Sequence, residues 1–288
     1  MGSNSIRING PFDMKNSIES GQPLAFHAEY SNKGKSFDTT YSTSKGVITT
    51  RLNGKKLSYS WQGEYTATSA RMEITRRFRI NDNMQSIYEK ICTDDFMKSA
   101  ISAYNGMRVT QNDPWETTLS FILSQFNNIK RIRNSVKMLI NSYGTPVEGS
   151  DAKLFPSAEQ IREASIKDLM RHGAGFRAKY IKHAAEFCSD NLDMNSLYKM
   201  DYGDAKEAIM EINGVGDKVA DCVMLFAYGK MEAFPIDVWI KRVLETIYFD
   251  GKKKKVTELH EFASEKWPGM EGYAQQYLFW HARSMKIR

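Results

Sequence analysis

The sequence predicts an α+β fold, with a small antiparallel β domain over residues 1–83 feeding an all-helical domain over 84–288. Three observations carry that expectation. Before residue 83, short runs rich in Thr, Tyr and Ser alternate with turn signals, the pattern of strands in a meander. Beyond it, apolar residues recur at helical spacing. The pair Asp113-Pro114 then marks an unmistakable helix start, with Asp as cap and Pro at the first helical position.

Taken in order, the first strand is expected at Leu24–Tyr30, followed by the turn residues Asn32-Lys33-Gly34. Ser36–Thr43 and Val47–Leu52 follow, separated by Ser44-Lys45-Gly46. Asn53-Gly54 is a two-residue hairpin signal because both residues accept positive φ. Leu57–Trp61 and Arg71–Ile80 are expected to complete the sheet. Helices are predicted at Met84–Ile91, Asp94–Tyr104, from Pro114 past Leu123, and at Asn128–Tyr143, which Gly144 ends. Ser157–Met170, Ala178–Asp190, Asp204–Ile212, Asp217–Tyr228, Ile236–Tyr248, Val256–Trp267 and Gly272–Met285 follow. Lys252–Lys255 reads as a solvated loop between two of them, since blocks of like charge sit in water.

Composition narrows the function. Lys and Arg outnumber Asp and Glu by 40 to 34, a net charge of +6 that suits a phosphate-bearing partner. Apolar runs are too short for a membrane helix and the N-terminus lacks a signal core, so a cytoplasmic, nucleoid-associated or nuclear protein is expected, neither secreted nor lipid-anchored. The three cysteines, Cys92, Cys188 and Cys222, are too few and too scattered for a zinc or iron–sulfur site or a disulfide framework. Neither metal nor cofactor is predicted, and nothing suggests an oligomer.

The informative segment is Ile212-Asn213-Gly214-Val215-Gly216-Asp217-Lys218. Two glycines one residue apart force a tight hairpin between helices, and the second helix's first N–H groups then face outward toward an anion such as a DNA phosphate. A plain helical hairpin fits the same glycines. Lys218 shifts the balance, because the positive end of a helix disfavours an ammonium there and leaves neutral amine as a nucleophile. Asp237, after Phe234-Pro235-Ile236, reads either as an N-cap or as a functional carboxylate.

Together, Ile212–Cys222 and Pro235–Asp237 resemble the helix–hairpin–helix, Gly/Pro-rich loop and aspartate of the base-excision DNA glycosylases, and within them the 8-oxoguanine DNA glycosylase/lyase family. Ser20-Gly21-Gln22, Asn127-Asn128-Ile129, Gly173–Ala178 and Gly272–Phe279 resemble further family segments in the same order. The resemblance implies a TATA-binding-protein-like β domain before the glycosylase domain. It implies that Lys218 attacks C1′ of a flipped nucleotide, forming a Schiff base before β-elimination, while Asp237 stabilises the cationic sugar. Cys222 and Phe279 would sandwich the purine, Gln275 would read its Watson–Crick edge, and Pro235 would line the pocket. The Gly21 carbonyl would accept the N7 hydrogen that 8-oxoguanine has and guanine lacks. Asn127, Asn128, Arg131, Phe176, Arg177, Gly214, Val215 and Gly216 would hold double-stranded DNA. Phe176 suits a wedge in the vacated stack, and Arg177, Lys179 and Lys182 beside it are expected to hold phosphates.

Two departures stand out. Phe126 occupies the position where eukaryotic members carry a cytosine-reading asparagine, while Arg131 retains the matching arginine. Discrimination for the base opposite the lesion is therefore expected to be mild. Trp239 stands in place of a histidine of those members.

Overall fold

The computed structural model describes residues 1–33 and 36–286, so Gly34 of the expected first turn lies outside the described residues. Five antiparallel strands form one sheet in the order β1-β5-β4-β3-β2: β1 Gly2–Arg7, β2 Glu29–Lys33, β3 Ser36–Ser42, β4 Gly46–Asn53 and β5 Lys56–Gly63. Alternation works as expected on β5, where Leu57, Tyr59 and Trp61 face inward. The hairpin between β4 and β5 turns on Gly54-Lys55 rather than Asn53-Gly54, since Asn53 still pairs with Lys56 and only Gly54 carries positive φ (+56°).

Three expectations for this region are corrected. Strand β1 was not foreseen; its Ile6 pairs opposite Leu57 on the sheet edge. Leu24–Tyr30 divides, with Leu24–His27 forming a helical turn and the strand starting at Glu29. Arg71–Ile80 is not a strand: Ala67–Arg77 is a helix, opened by a capping box in which Thr66 and Ser69 satisfy each other's backbone N–H. Buried Ala70 and Ile74 in this helix and Phe78 at its C-cap are four apart, a helical stripe that packs under the sheet with Met14, Ile18 and Tyr41.

The helical region follows its predicted punctuation closely. Asp113 accepts from the N–H groups of Trp115 and Glu116 and opens Pro114–Ser124; Asn128 caps Ile129–Tyr143. Ser157–Met170 is interrupted, because Ser165 caps a new short helix, Ile166–Leu169, and ends the run begun at Ala158–Glu163. The expected helices at 217–228 and 236–248 begin as Asp217–Val223 and Val238–Val243, and each closes in a wide π turn. Glu271–Met285 is the last helix. Lys252–Lys255 is a loop, its Lys253 and Lys254 paired with Glu245 and Glu258 at 3.0 and 2.8 Å.

A buried charge cluster locks the sheet side to the helices. Arg77 reaches Glu73 at 2.7 Å and Glu116 at 3.0 Å, and His27 lies 3.6 Å from Glu116. Glu116 is in the helix that carries Phe121 to the cavity described next.

Candidate active site

A cavity of about 330 Å³ opens where the Ser20–Gln22 turn, the segment 127–129, the helix Asp217–Val223, the Pro235–Asp237 loop and the last helix converge. That size suits one small ligand. It gathers Lys218, Asp237, Cys222, Gln275, Phe279, Gly21, Pro235, Asn127 and Asn128, residues as far apart in sequence as 21 and 279. A larger cleft of about 800 Å³ lies between β2–β3 and the helix Ile129–Tyr143. It holds none of those residues, and its Arg133 lies against the Tyr30 ring at 4.6 Å.

Lys218 is half-buried, the second residue of its helix, with Nζ 5.0 Å from the centre of the Phe121 ring. Cys222, one turn later, is 3 % exposed. Burial pushes its thiol up to about 12, against the pull of Lys218, so it stays protonated and is no rival nucleophile.

Asp237 caps Val238–Val243: its Oδ1 accepts from the Trp239 and Ile240 N–H groups at 3.0 and 2.8 Å. Both bonds fall on one oxygen, and the carboxylate still lines the cavity. The cap is therefore compatible with a place at the cavity wall. No ion pair joins Asp237 to Lys218 among the described residues.

Gln275 is 5 % exposed; its Nε2 donates to the Pro235 carbonyl at 3.2 Å, while its Oε1 is buried without a partner. Such an orphan is rare inside a folded protein and costs about 1–3 kcal/mol unless a ligand satisfies it. Gly21 sits at φ +79°, and a Cβ there would come within 3.4 Å of the Phe279 ring and 3.3 Å of Ile129. Its turn is rigid. Gln22 donates to the Arg108 carbonyl at 2.9 Å and accepts the Thr110 N–H at 2.6 Å, and Gln276 holds the Ser20 carbonyl at 3.1 Å.

Around the mouth, the hairpin glycines differ. Gly214 has φ +89° and no room for a Cβ, which would lie 2.6 Å from Tyr180. Gly216 has ordinary extended angles (φ −96°) and open space where a Cβ would stand, so of the two only Gly214 uses a left-handed backbone. Val215 is buried. Asn127 donates to the Leu123 carbonyl at 3.0 Å, Asn128 accepts the Arg131 N–H at 3.0 Å, and Arg131 itself is exposed.

Two basic residues are not where the sequence reading put them. Arg177 is 8 % exposed: it donates to the Gln125 and Phe126 carbonyls and lies 4.2 Å over the Phe176 ring, so it is not open to a phosphate. Lys182 donates to the Arg162 carbonyl and faces Glu186. Lys179 is exposed. Arg283 was missed altogether. Its guanidinium lies 5.5 Å over Phe279 and 5.9 Å over Trp239 at the cavity wall. The repeat Gln275, Phe279, Arg283, four apart on one helix face, was the available signal.

The profile of the HhH-GPD superfamily of base-excision DNA repair proteins matches residues 119–269, and that of the 8-oxoguanine DNA glycosylase N-terminal domain matches residues 5–118. This chain belongs to the 8-oxoguanine DNA glycosylase family. The glycosylase is 31 % identical to a probable N-glycosylase/DNA lyase of Methanothermobacter thermautotrophicus over 74 % of this chain and 75 % of that protein. Among solved structures, MBOgg1 in complex with a low-affinity DNA ligand superposes with TM-score 0.90 at 32 % identity, covering 99 % and 97 % of the two chains. The apo 8-oxoguanine glycosylase/lyase of Clostridium acetobutylicum superposes with TM-score 0.86 at 25 % identity, covering 98 % and 96 %. With this membership the enzyme is a DNA glycosylase with AP lyase activity. No helix among the described residues is long and apolar enough to cross a membrane.

Proposed function

We propose that the glycosylase flips 8-oxoguanine out of duplex DNA into the 330 Å³ cavity and excises it through Lys218. The observation that carries this is the meeting of Lys218, Asp237, Gln275 and the Gly21 turn in one cavity. Duplex DNA hides C1′, so the nucleotide must leave the stack, at a cost of a few kcal/mol. The free amine of Lys218 bonds to C1′ as the C1′–N9 bond breaks and the base departs with the bonding electrons, taking up a proton. Asp237 faces the positive charge that grows on the sugar; in a site closed to water such a charge is worth several kcal/mol. The amine loses a proton and the C1′–O4′ bond opens, O4′ taking up a proton, to give the Schiff base; loss of a C2′ proton as the C3′–O bond breaks then expels the 3′ phosphate and nicks the strand.

Each remaining wall has a role in this reading. Cys222 and Phe279 bracket the purine, and the Gln275 Oε1 accepts from its Watson–Crick edge. The Gly21 carbonyl accepts the N7 hydrogen absent from guanine, a single bond whose loss leaves a buried acceptor unpaired. The uncapped helix start at Gly216 meets the strand's phosphates; its open space supports a close approach by a backbone outside this chain. Asn127, Asn128, exposed Arg131 and Phe176 contact the duplex around it. We assign residues 1–83 and 84–288 as the two domains of a monomer that works wherever the genome lies, in cytoplasm or nucleus.

Borohydride added during reaction with a duplex containing one 8-oxoguanine tests the proposal. A covalent adduct that disappears in Lys218→Gln is expected. Release of free base without an adduct would replace it with a water-activating mechanism, and no reaction would leave only a DNA-binding module. Single-turnover rates opposite C, A, G and T are expected to favour C by less than roughly a hundredfold over A, about 2.7 kcal/mol.

A further inference from the structure

The helix that carries Lys218 has a second face. Lys218 and Cys222, four apart, line the cavity. Asp217 and Asp221, also four apart but one residue out of step, lie about 100° away around the same helix. Among the described residues, Asp217, Asp221 and His260 form a trio whose donor atoms all lie within 4.8 Å of one another. His260 belongs to the helix Val256–Lys266, so the trio joins two helices. Its Nε2 is 3.4 Å from Asp217 Oδ2 and 3.7 Å from Asp221 Oδ2.

The Asp221 side chain is 0 % exposed, yet its Oδ2 has no hydrogen-bond partner, and neither has His260 Nε2. Its other oxygen is well supplied. Oδ1 accepts from Lys206 Nζ at 2.8 Å and from the Tyr202 hydroxyl at 2.5 Å, both on the helix Tyr202–Met210. Lys206 also reaches Asp217 Oδ1 at 2.7 Å. One ammonium thus orients both carboxylates by their Oδ1 atoms and leaves both Oδ2 atoms beside the imidazole. Buried polar atoms left over in this way call for a partner. The spacing fits a metal ion: atoms about 2.0–2.1 Å from a tetrahedral zinc stand about 3.3 Å from one another. Asp217 is exposed and gives the ion a way in from solvent.

We propose that Asp217 Oδ2, Asp221 Oδ2 and His260 Nε2 bind one Zn²⁺, with water in the fourth position. An imidazole in the set favours such a cation over Mg²⁺ or Ca²⁺, which take oxygen ligands. Lys206 and Tyr202 hold the carboxylates in place from behind, as the outer partners of metal ligands do. No cysteine takes part, so the cysteine count carried no sign of this site. None of the three ligands lines the cavity. The ion staples the nucleophile's helix to Val256–Lys266, and the inference stands apart from the excision mechanism proposed above.

Titration of untagged, chelator-treated full-length protein tests this, with ZnCl₂ by calorimetry and CoCl₂ by visible absorption. One equivalent is expected to bind, Co²⁺ with the intense bands of four-coordinate geometry. Zn²⁺ at about a hundredfold its Kd is expected to raise Tm by about 5 °C. His260 is half-buried at the surface, so His260→Ala is expected to fold as the wild type does and to keep the borohydride adduct. It should bind zinc roughly tenfold or more weakly and lose the Tm shift, and Asp217→Asn should weaken binding likewise. A wild type that binds no zinc would overturn the site and leave an ion-pair network only. Binding and Tm shift unchanged in His260→Ala would overturn it as well.

Discussion

Two helices begin at the wall of the same cavity, and they begin in opposite ways. Val238–Val243 is closed by Asp237, whose Oδ1 takes two backbone N–H groups. Asp217–Val223 starts from Gly216 with no side-chain cap, so its N–H groups stay open to the outside. The chemistry of a helix start is the same in both: positive partial charge and unsatisfied donors. One holds the Asp237 carboxylate at the cavity that Lys218 also lines. The other leaves its first donors without a side-chain cap. In the function proposed above, the capped start anchors the group that faces the sugar's charge, and the uncapped one meets a phosphate.

The largest effects should come from the closed start and the amine beside it. Lys218→Gln is expected to abolish the borohydride adduct. Asp237→Asn keeps the cap, because asparagine caps as well as aspartate. It should leave thermal stability unchanged yet slow single-turnover base excision roughly a hundred- to thousandfold. Asp237→Ala should add a loss of about 1 kcal/mol in urea unfolding. Equal activity in the Asn variant and the wild type would reduce Asp237 to a cap.

Next in size is the pH range over which the comparison holds at all. Burial and the charge of Arg77 lower His27 to about 3, so its contribution to stability is present above 6.5 and lost as pH falls. Burial raises Glu73, but Arg77 and Arg76 outweigh it and hold the carboxyl at about 2; its contribution is lost below 4.5. Burial raises Glu116 to about 7 against Arg77, so its contribution is full below 4.5 and lost as pH rises. Between pH 4.5 and 6.5 the His27 and Glu116 slopes cancel. Below 4.5 His27 and Glu73 act in the same direction, so stability falls more steeply as pH falls. Urea-unfolding free energies from pH 3 to 8 should show that plateau and that drop, and Glu116→Gln should tilt the plateau upward with pH.

The hairpin glycines sharpen the open side. Gly214→Ala meets Tyr180 and a left-handed backbone, and should cost about 2 kcal/mol or more, read as a lower Tm. Gly216→Ala meets nothing within the chain. It should leave Tm alone but weaken duplex binding roughly tenfold and lower the salt dependence by about one phosphate contact. The smallest effect expected is that of Cys222→Ala, which should retain the adduct, since a thiol pushed up to about 12 does no nucleophilic work at neutral pH.

Much of this was legible in the chain because it is local. Asp113-Pro114, Asn128 and Asp237 announce helix starts through hydrogen bonds spanning two or three residues, and those starts are where they were expected. Gly214-Val215-Gly216-Asp217 fixes a hairpin within four residues. Where local signals competed, the reading failed. Arg71–Ile80 carries strand-forming residues, yet the Thr66–Ser69 box and the four-residue apolar stripe make it a helix. Ser165 ended a run that periodicity would have continued.

The sequence by itself determined where helices start, which turn needs glycine and which amine stands at a helix start, since each depends on bonds a few residues long. Only the tertiary structure decided that Arg177 holds two loops rather than a phosphate, that Arg283 joins the cavity wall, and that Gln275 is left with an unsatisfied oxygen. Those turn on contacts between residues about 40 to 50 positions apart, or the lack of one, and side-chain chemistry at one position does not specify which distant group it will meet. The fold sets that by packing.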